Sequence, residues 1–192
     1  ITDKFGSIIP LSLFLLTKIN EENISVFEKH GIVITKLENE KDNIINNLSH
    51  PRFELGKLIN KYCPAFEGKF DKASHITAVF PILTQGILAI KKLVDYIDHE
   101  IIIDKIPIKN KEMSSYAVKE YLVQHSTSSF NGCHLIIASR ECTDSIIQDL
   151  KKIHLEPEVI GRVGKKGKPL LNIKDMEIDK YILRRSKINK KI

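Results

Sequence analysis

The residues able to do chemistry in this chain are scattered, and their spacing excludes more than it offers. The histidines, His30, His50, His75, His99, His125, His134 and His154, include no pair four residues apart, the spacing that sets two metal ligands on one helix face. They read as surface or capping residues. His134 reads as a core or edge histidine of an apolar strand, and His75 stands apart at the mouth of a strand-to-helix junction beside Ser74 and Thr77. Cys63, Cys133 and Cys142 contain no CxxC and are odd in number, which argues against a disulfide framework and a cysteine zinc site. Cys142 precedes a predicted helix start, where a thiolate would be favoured, although an inert small residue is the simpler account; Cys133 reads as core. The run HSTSSFNG, residues 125–132, supplies hydroxyls and amides that can bind an anion, and ordinary loop composition accounts for it equally well. GRVGKKG resembles a phosphate loop at first sight. It joins two predicted strands instead of opening a helix, so the amide cradle and dipole are missing and a hairpin turn is expected.

These groups need a scaffold, and the bulk composition allows one. A chain of 192 residues with 42% hydrophobic side chains can bury a core as one domain, or one domain with an extension. The net charge of +6 suits an anionic partner, but much of the excess sits in GRVGKKGKP and in the closing RRSKINKKI, which reads as a solvated basic tail. With 7% aromatic residues and no Trp, a stacking platform is poorly supplied, so nucleic acid is not the expected partner. The alternative, a basic α/β module that binds nucleic acid through its tail, predicts that deleting residues 184–192 removes nearly all affinity and that binding is salt-sensitive. The opening run IIPLSLFLL is too short to span a bilayer and lacks the flanks of a secretory signal, so no membrane partner and a cytoplasmic, reducing location are expected. The chain begins without Met, which leaves room for a removed upstream segment.

Periodicity divides the chain into elements. GSIIPLSLFLLTKI is either a buried helix broken at Pro10 or a strand leading into a helix. HGIVITKL is β-branched and reads as a strand, followed by ENEKDNIINN as a loop or frayed helix start. A short helix follows from Pro51, with Phe53, Leu55, Leu58 and Ile59 at helical spacing. SHITAVF is a short strand or loop. Pro81 sits where a helix can begin, and Leu83, Ile87, Ile90, Val94 and Ile97 form its stripe. HEIIIDKIPI is a strand stopped near Pro107. NKEMSSYAVKEYLVQ is a helix with Met113, Tyr116, Ala117 and Tyr121 on one face, and CHLIIAS is a buried strand. Thr143 serves as N-cap of a helix with Ile146, Ile147, Leu150 and Ile153 on its apolar face. PEVIGRV and KPLLNI close the module as strands. Alternating helices and strands of this kind predict an α+β domain with mixed sheet pairing.

Four blocks in order carry a resemblance. FDKASHITAVFPIL, IIIDKIPI, SSFNGCHLIIASRE and PEVIGRV are similar, in order and nearly in spacing, to the C-terminal domain shared by aminoimidazole ribonucleotide (AIR) synthetase and selenophosphate synthetase. In that superfamily a HITGGG junction precedes a long helix, then come a strand ending in IP, a GGLLI strand, a helix and an xVIGxV strand. His75, Ile76 and Thr77 fall on the first motif, Ile106 and Pro107 on the second, Gly132, Leu135 and Ile136 on the third, and Val159, Ile160, Gly161 and Val163 on the fourth. The resemblance covers residues 70–173, and HGIVITK is similar to the family's opening strand, which extends it to about residue 30.

The resemblance implies a three-layer α/β/α domain with a mixed sheet over residues 31–175, preceded by an extension or domain remnant at 1–30 and followed by the tail at 176–192. It implies an ATP-dependent synthetase, a ligase or transferase, whose ATP and magnesium are held by an N-terminal ATP-binding domain on another segment or chain. No cofactor is then expected on this chain alone, a small phosphorylated substrate is, and a homodimer is allowed. His75, Thr77, Ser128, Ser129 and Asn131 would face the substrate side of the cleft. The departures cut against catalysis. Ala78, Val79 and Phe80 replace the glycine-rich loop, where side chains would keep a backbone from a phosphate. A non-catalytic binding or assembly protein of the same fold is the second reading.

Overall fold

The computed structural model describes residues 1–49, 53–129 and 133–182. His50, Pro51, Asn131, Gly132 and residues 183–192 of the tail lie outside the described residues. The chain is mixed α and β.

The first third is helical. α1 (Ile9–Ile19) carries Pro10 in its first turn instead of breaking there, because an N–H at that position would have no acceptor within the helix. α2 (Glu22–Lys29) buries Phe27. The strand expected at HGIVITKL is instead a turn at His30 and Gly31 running into a helix, α3 (Ile34–Ser49). Leu37 and Ile44 bury one face of α3, and Leu37 joins Leu13, Phe14, Met113 and Ala117 in a shared core. That packing outweighs the modest strand preference of the β-branched residues.

From residue 53 the order is α4 (Phe53–Lys61), β1 (Ile76–Pro81), α5 (Leu88–Ile97), β2 (His99–Ile103), α6 (Lys111–Lys119), β3 (His134–Ala138), α7 (Arg140–Lys152), β4 (Gly161–Lys166) and β5 (Leu171–Ile173). Pro81 closes β1 instead of opening a helix; Leu83 sits in a short 3-10 turn, and α5 starts only at Leu88. Ile87, Ile90 and Val94 of the expected stripe are buried. Phe53 and Tyr121, both expected on apolar faces, are exposed; Tyr121 lies beyond α6 with φ 58°.

The strands form two small sheets. β1 and β3 make an antiparallel ribbon, from Ile76 opposite Ala138 to Pro81 opposite His134. β2 is central in the other sheet, antiparallel to β4 and parallel to β5. The expected β4–β5 hairpin is therefore absent: the two strands flank β2. Bridging an interposed strand requires about 10 Å, which the residues between Lys166 and Leu171 can reach. Gly167, at φ 70°, turns the chain. The ribbon carries α5 on the face of Phe80 and Leu135, and α4 with α7 on the face of Ile76, Val79 and Ile136.

Two contacts hold α7 in place. Ser139, not Thr143, is the N-cap: its Oγ accepts from Cys142 N at 3.3 Å, while the Thr143 hydroxyl donates to Ser139 O. The Ser139 hydroxyl also donates to Lys72 O, so a single side chain ties the loop before β1 to α7. Ser139→Ala is expected to cost about 1 kcal/mol, measured by urea denaturation, with no change in the slope. At the other end Asp149 accepts from Lys61 at 2.5 Å, Tyr62 at 2.9 Å and Lys152 at 2.8 Å. These donors hold its carboxyl well below the usual range, and burial pushes the Tyr62 hydroxyl up to about 12.

Candidate functional site

The sequence-derived site residues fall into two groups. Ser128 and Ser129 lie in a loop docked onto the turn that follows β1. The Ser128 hydroxyl donates to Thr84 O at 2.6 Å, and Ser129 N donates to Leu83 O at 2.8 Å. Thr127, which sequence reasoning did not single out, is the clasp: its Oγ1 accepts from Ile87 N at 3.0 Å, at the start of α5, and contacts His125 Nδ1 at 3.2 Å. Gly86 permits the fit. It lies at φ 55°, and a Cβ there would stand 2.2 Å from Thr127 Oγ1. The contact spans forty residues, and no local pattern in the sequence announces it.

Ser126, Thr127 and Ser129 are buried and Ser128 is partly so. Their hydroxyls are used as internal braces: Ser126 donates to Tyr181 O and Ser129 to Thr127 O, each at 3.4 Å. Burial lowers the proton affinity of His125, so the ring is neutral near pH 7. Burial also pushes the neighbouring Cys133 thiol up to about 12, which leaves it a core residue as its strand position predicts.

His75 and Thr77 stand at the opposite end of the ribbon. β1 separates them from Leu83 by a span of roughly 17 Å. His75 belongs to a tight local network: Asp71 N donates to its Nδ1 at 2.8 Å, which places the ring proton on Nε2 for a neutral imidazole, and Ser74 donates to Asp71 Oδ2 at 2.7 Å. Thr77 is exposed. The structure thus brings the two serines together with Thr84 and Thr127, and it does not bring His75 or Thr77 to them. Cys142 does not have the thiolate character its place near a helix start suggested, because burial pushes its thiol up, with Asp71 adding to the effect. Among the described residues, no group of three His, Cys, Asp or Glu side chains is placed to hold a metal. Nor is any described helix long and apolar enough to cross a membrane.

A second feature lies between the sheets. An apolar groove of about 140 Å³ runs between β3, α7 and β4, with Ile136, Ile146, Ile160 and Val163 in its lining. Ile1 also lines it. Glu158 and Arg162 are the charged residues of the lining.

In comparisons with protein-family models, curated proteins and solved structures, the chain finds no match.

Proposed function

We propose that this chain is the C-terminal half of an ATP-dependent synthetase of the AIR synthetase and selenophosphate synthetase type. It supplies a scaffold and the substrate-side wall of a cleft, and an N-terminal domain supplies the ATP and magnesium site. The observation that carries the reading is the docking of the Ser128–Ser129 turn onto the loop after β1, which joins the first and third motif blocks where a glycine-bearing turn opens α5. The second and fourth blocks also meet: Asp104 N and Lys105 N both donate to Ile160 O, and Arg162 pairs with Asp104 at 2.6 Å. Helices on both faces of the β1–β3 ribbon are in keeping with a layered α/β/α domain.

Phosphoryl transfer rests on positioning and on metal and basic groups around the phosphates. The hydroxyls of the junction are consumed in bracing, so the reactive groups belong to the accompanying half. Calorimetry with ATP and magnesium, on the protein purified from its own cells and on this chain alone, tests the reading. Heat of binding is expected from the native protein only. A null there would sink the proposal, and binding by this chain alone would show that it houses its own nucleotide site.

One observation favours a non-catalytic assembly role for the same fold. Val79 and Phe80 pack into two different cores on opposite faces of the ribbon, so the segment that is glycine-rich in the family is committed to structure here. On that reading the native protein binds its partner chain and shows no ATP turnover.

A further inference from the structure

Thr127 Oγ1 is a node between distant parts of the chain. It accepts from Ile87 N at 3.0 Å, where α5 begins, and lies 3.2 Å from His125 Nδ1. Thr127 is fully buried, so bulk water cannot satisfy its hydroxyl hydrogen. With a neutral imidazole the hydroxyl donates to Nδ1 and the ring proton sits on Nε2, which leaves every group at the node paired. A protonated ring changes the count. Both ring nitrogens become donors, so Nδ1–H and Ile87 N–H point at one oxygen and the hydroxyl hydrogen loses its acceptor. The imidazolium also faces the N-terminal end of α5, the positive end of the helix dipole. The same stretch fastens the C-terminal segment: His125 forms an antiparallel bridge with Ile182, and Ser126 N donates to Tyr181 O at 2.8 Å. The turn at 83–86 carries no titratable side chain. On the C-terminal segment Lys180 and the Tyr181 hydroxyl are turned to Glu177, at 2.7 and 3.4 Å.

We propose that His125 is a pH-sensitive latch: when its ring is protonated the Thr127 bridge to α5 gives way, and residues 125–129 lift from the turn at 83–87 and from Tyr181 and Ile182. The Ser128 hydroxyl leaves Thr84 O in the same step. Burial is the influence that acts on the ring, and it lowers its proton affinity. The closed clasp thus holds the imidazole neutral, and the open form takes up the proton first. Closure is fully favoured above the ordinary histidine value of 6.5 and is lost as the pH falls below it. The latch needs only the clasp and does not depend on the synthetase reading.

The test is amide hydrogen exchange read by NMR at about pH 5 and 7.5 and corrected for the intrinsic rate. The chain is acetylated at its N-terminus, so that the Ile1 amine plays no part. Protection of the Ile87, Ser126 and Ser129 amides is expected to fall by about tenfold or more at the lower pH, the effect of one buried donor left unpaired. Residues 135–137 of β3, laddered to β1, should keep theirs. In His125→Asn the side-chain oxygen accepts the Thr127 hydroxyl as Nδ1 does and does not titrate. Whatever its level, protection at the three amides should then be the same at both pH values. Unchanged protection in the parent while its His125 ring titrates overturns the latch. So does an equal loss in parent and variant, or a loss shared in equal measure by β3, which is acid unfolding of the whole chain.

Discussion

Gly161→Ala is expected to lower the thermal midpoint by about 6–12 °C. The reason is a single approach: a Cβ at Gly161 would stand 1.9 Å from Ile102 O and 2.9 Å from its carbonyl carbon. Both are backbone atoms of β2 and cannot swing away as the end of a side chain can. β4 must therefore move off β2, weakening the pairs of Gly161 with Ile103 and Arg162 with Ile102. Overpacking against backbone of this kind costs about 3 kcal/mol, and for a chain of this size each kcal/mol lowers the midpoint by about 2–4 °C. Gly56→Ala is the control. It lies inside α4, nothing lies within 4 Å of the new Cβ, and alanine there should stabilise by up to ~1 kcal/mol. Calorimetric melting of the two variants beside the parent gives the comparison. Equal midpoints for Gly161→Ala and the parent would mean that β4 does not lie against β2 as described.

The second large effect is a rise in stability with pH. The Ile1 amine has an ordinary pKa of 8.0 and is pushed down to about 6 in the folded chain, chiefly by burial, with Lys105 lowering it further and Cys133 and Glu158 opposing. Below about pH 6 the amine is charged in both states, and the folded chain bears the full cost of burying the charge. Between 6 and 8 the unfolded chain binds more protons, so stability climbs with pH and levels off above 8. A difference of two units corresponds to about 2–3 kcal/mol. His125, whose pKa is also lowered by burial, contributes in the same direction below its ordinary value of 6.5. Urea denaturation at about pH 5.5, 7 and 8.5, repeated on chain acetylated at its N-terminus, separates the two. Acetylation should remove the Ile1 share and leave that of His125. A parent chain whose stability is flat or falls over this range would place the Ile1 amine in solvent.

Much of the second half of the fold was legible because its apolar periods are clean. β2, β3 and α7 lie where alternating or helical spacing puts them, and Ile146 and Leu150 are buried as their face requires. The first half misled where propensity and packing disagree. Ile32, Val33 and Ile34 favour a strand locally, yet Leu37 and Ile44 form a helical stripe with a partner face to cover. The hairpin expected at GKKG failed for a different reason. Turn chemistry specifies that the chain reverses, not which strand lies beside it, and β2 takes the place between β4 and β5. The site was half legible. Ser128 and Ser129 came from the hydroxyl-rich run and the resemblance together, while Thr127 and Gly86 matter through a contact across forty residues that no local pattern announces. His75 stood out by its junction and proves to be held by Asp71 in a local turn.

The central place of β2 has a kinetic consequence. During synthesis this strand emerges long before the residues of β4 and β5 that flank it, and both of its ladders wait on them. Pairings between segments so far apart close slowly, because loop entropy is lost before contacts repay it. The helices before β2 can settle early. The sheet centred on it must form last, and refolding should show a slow phase that tracks β2 and β4 together.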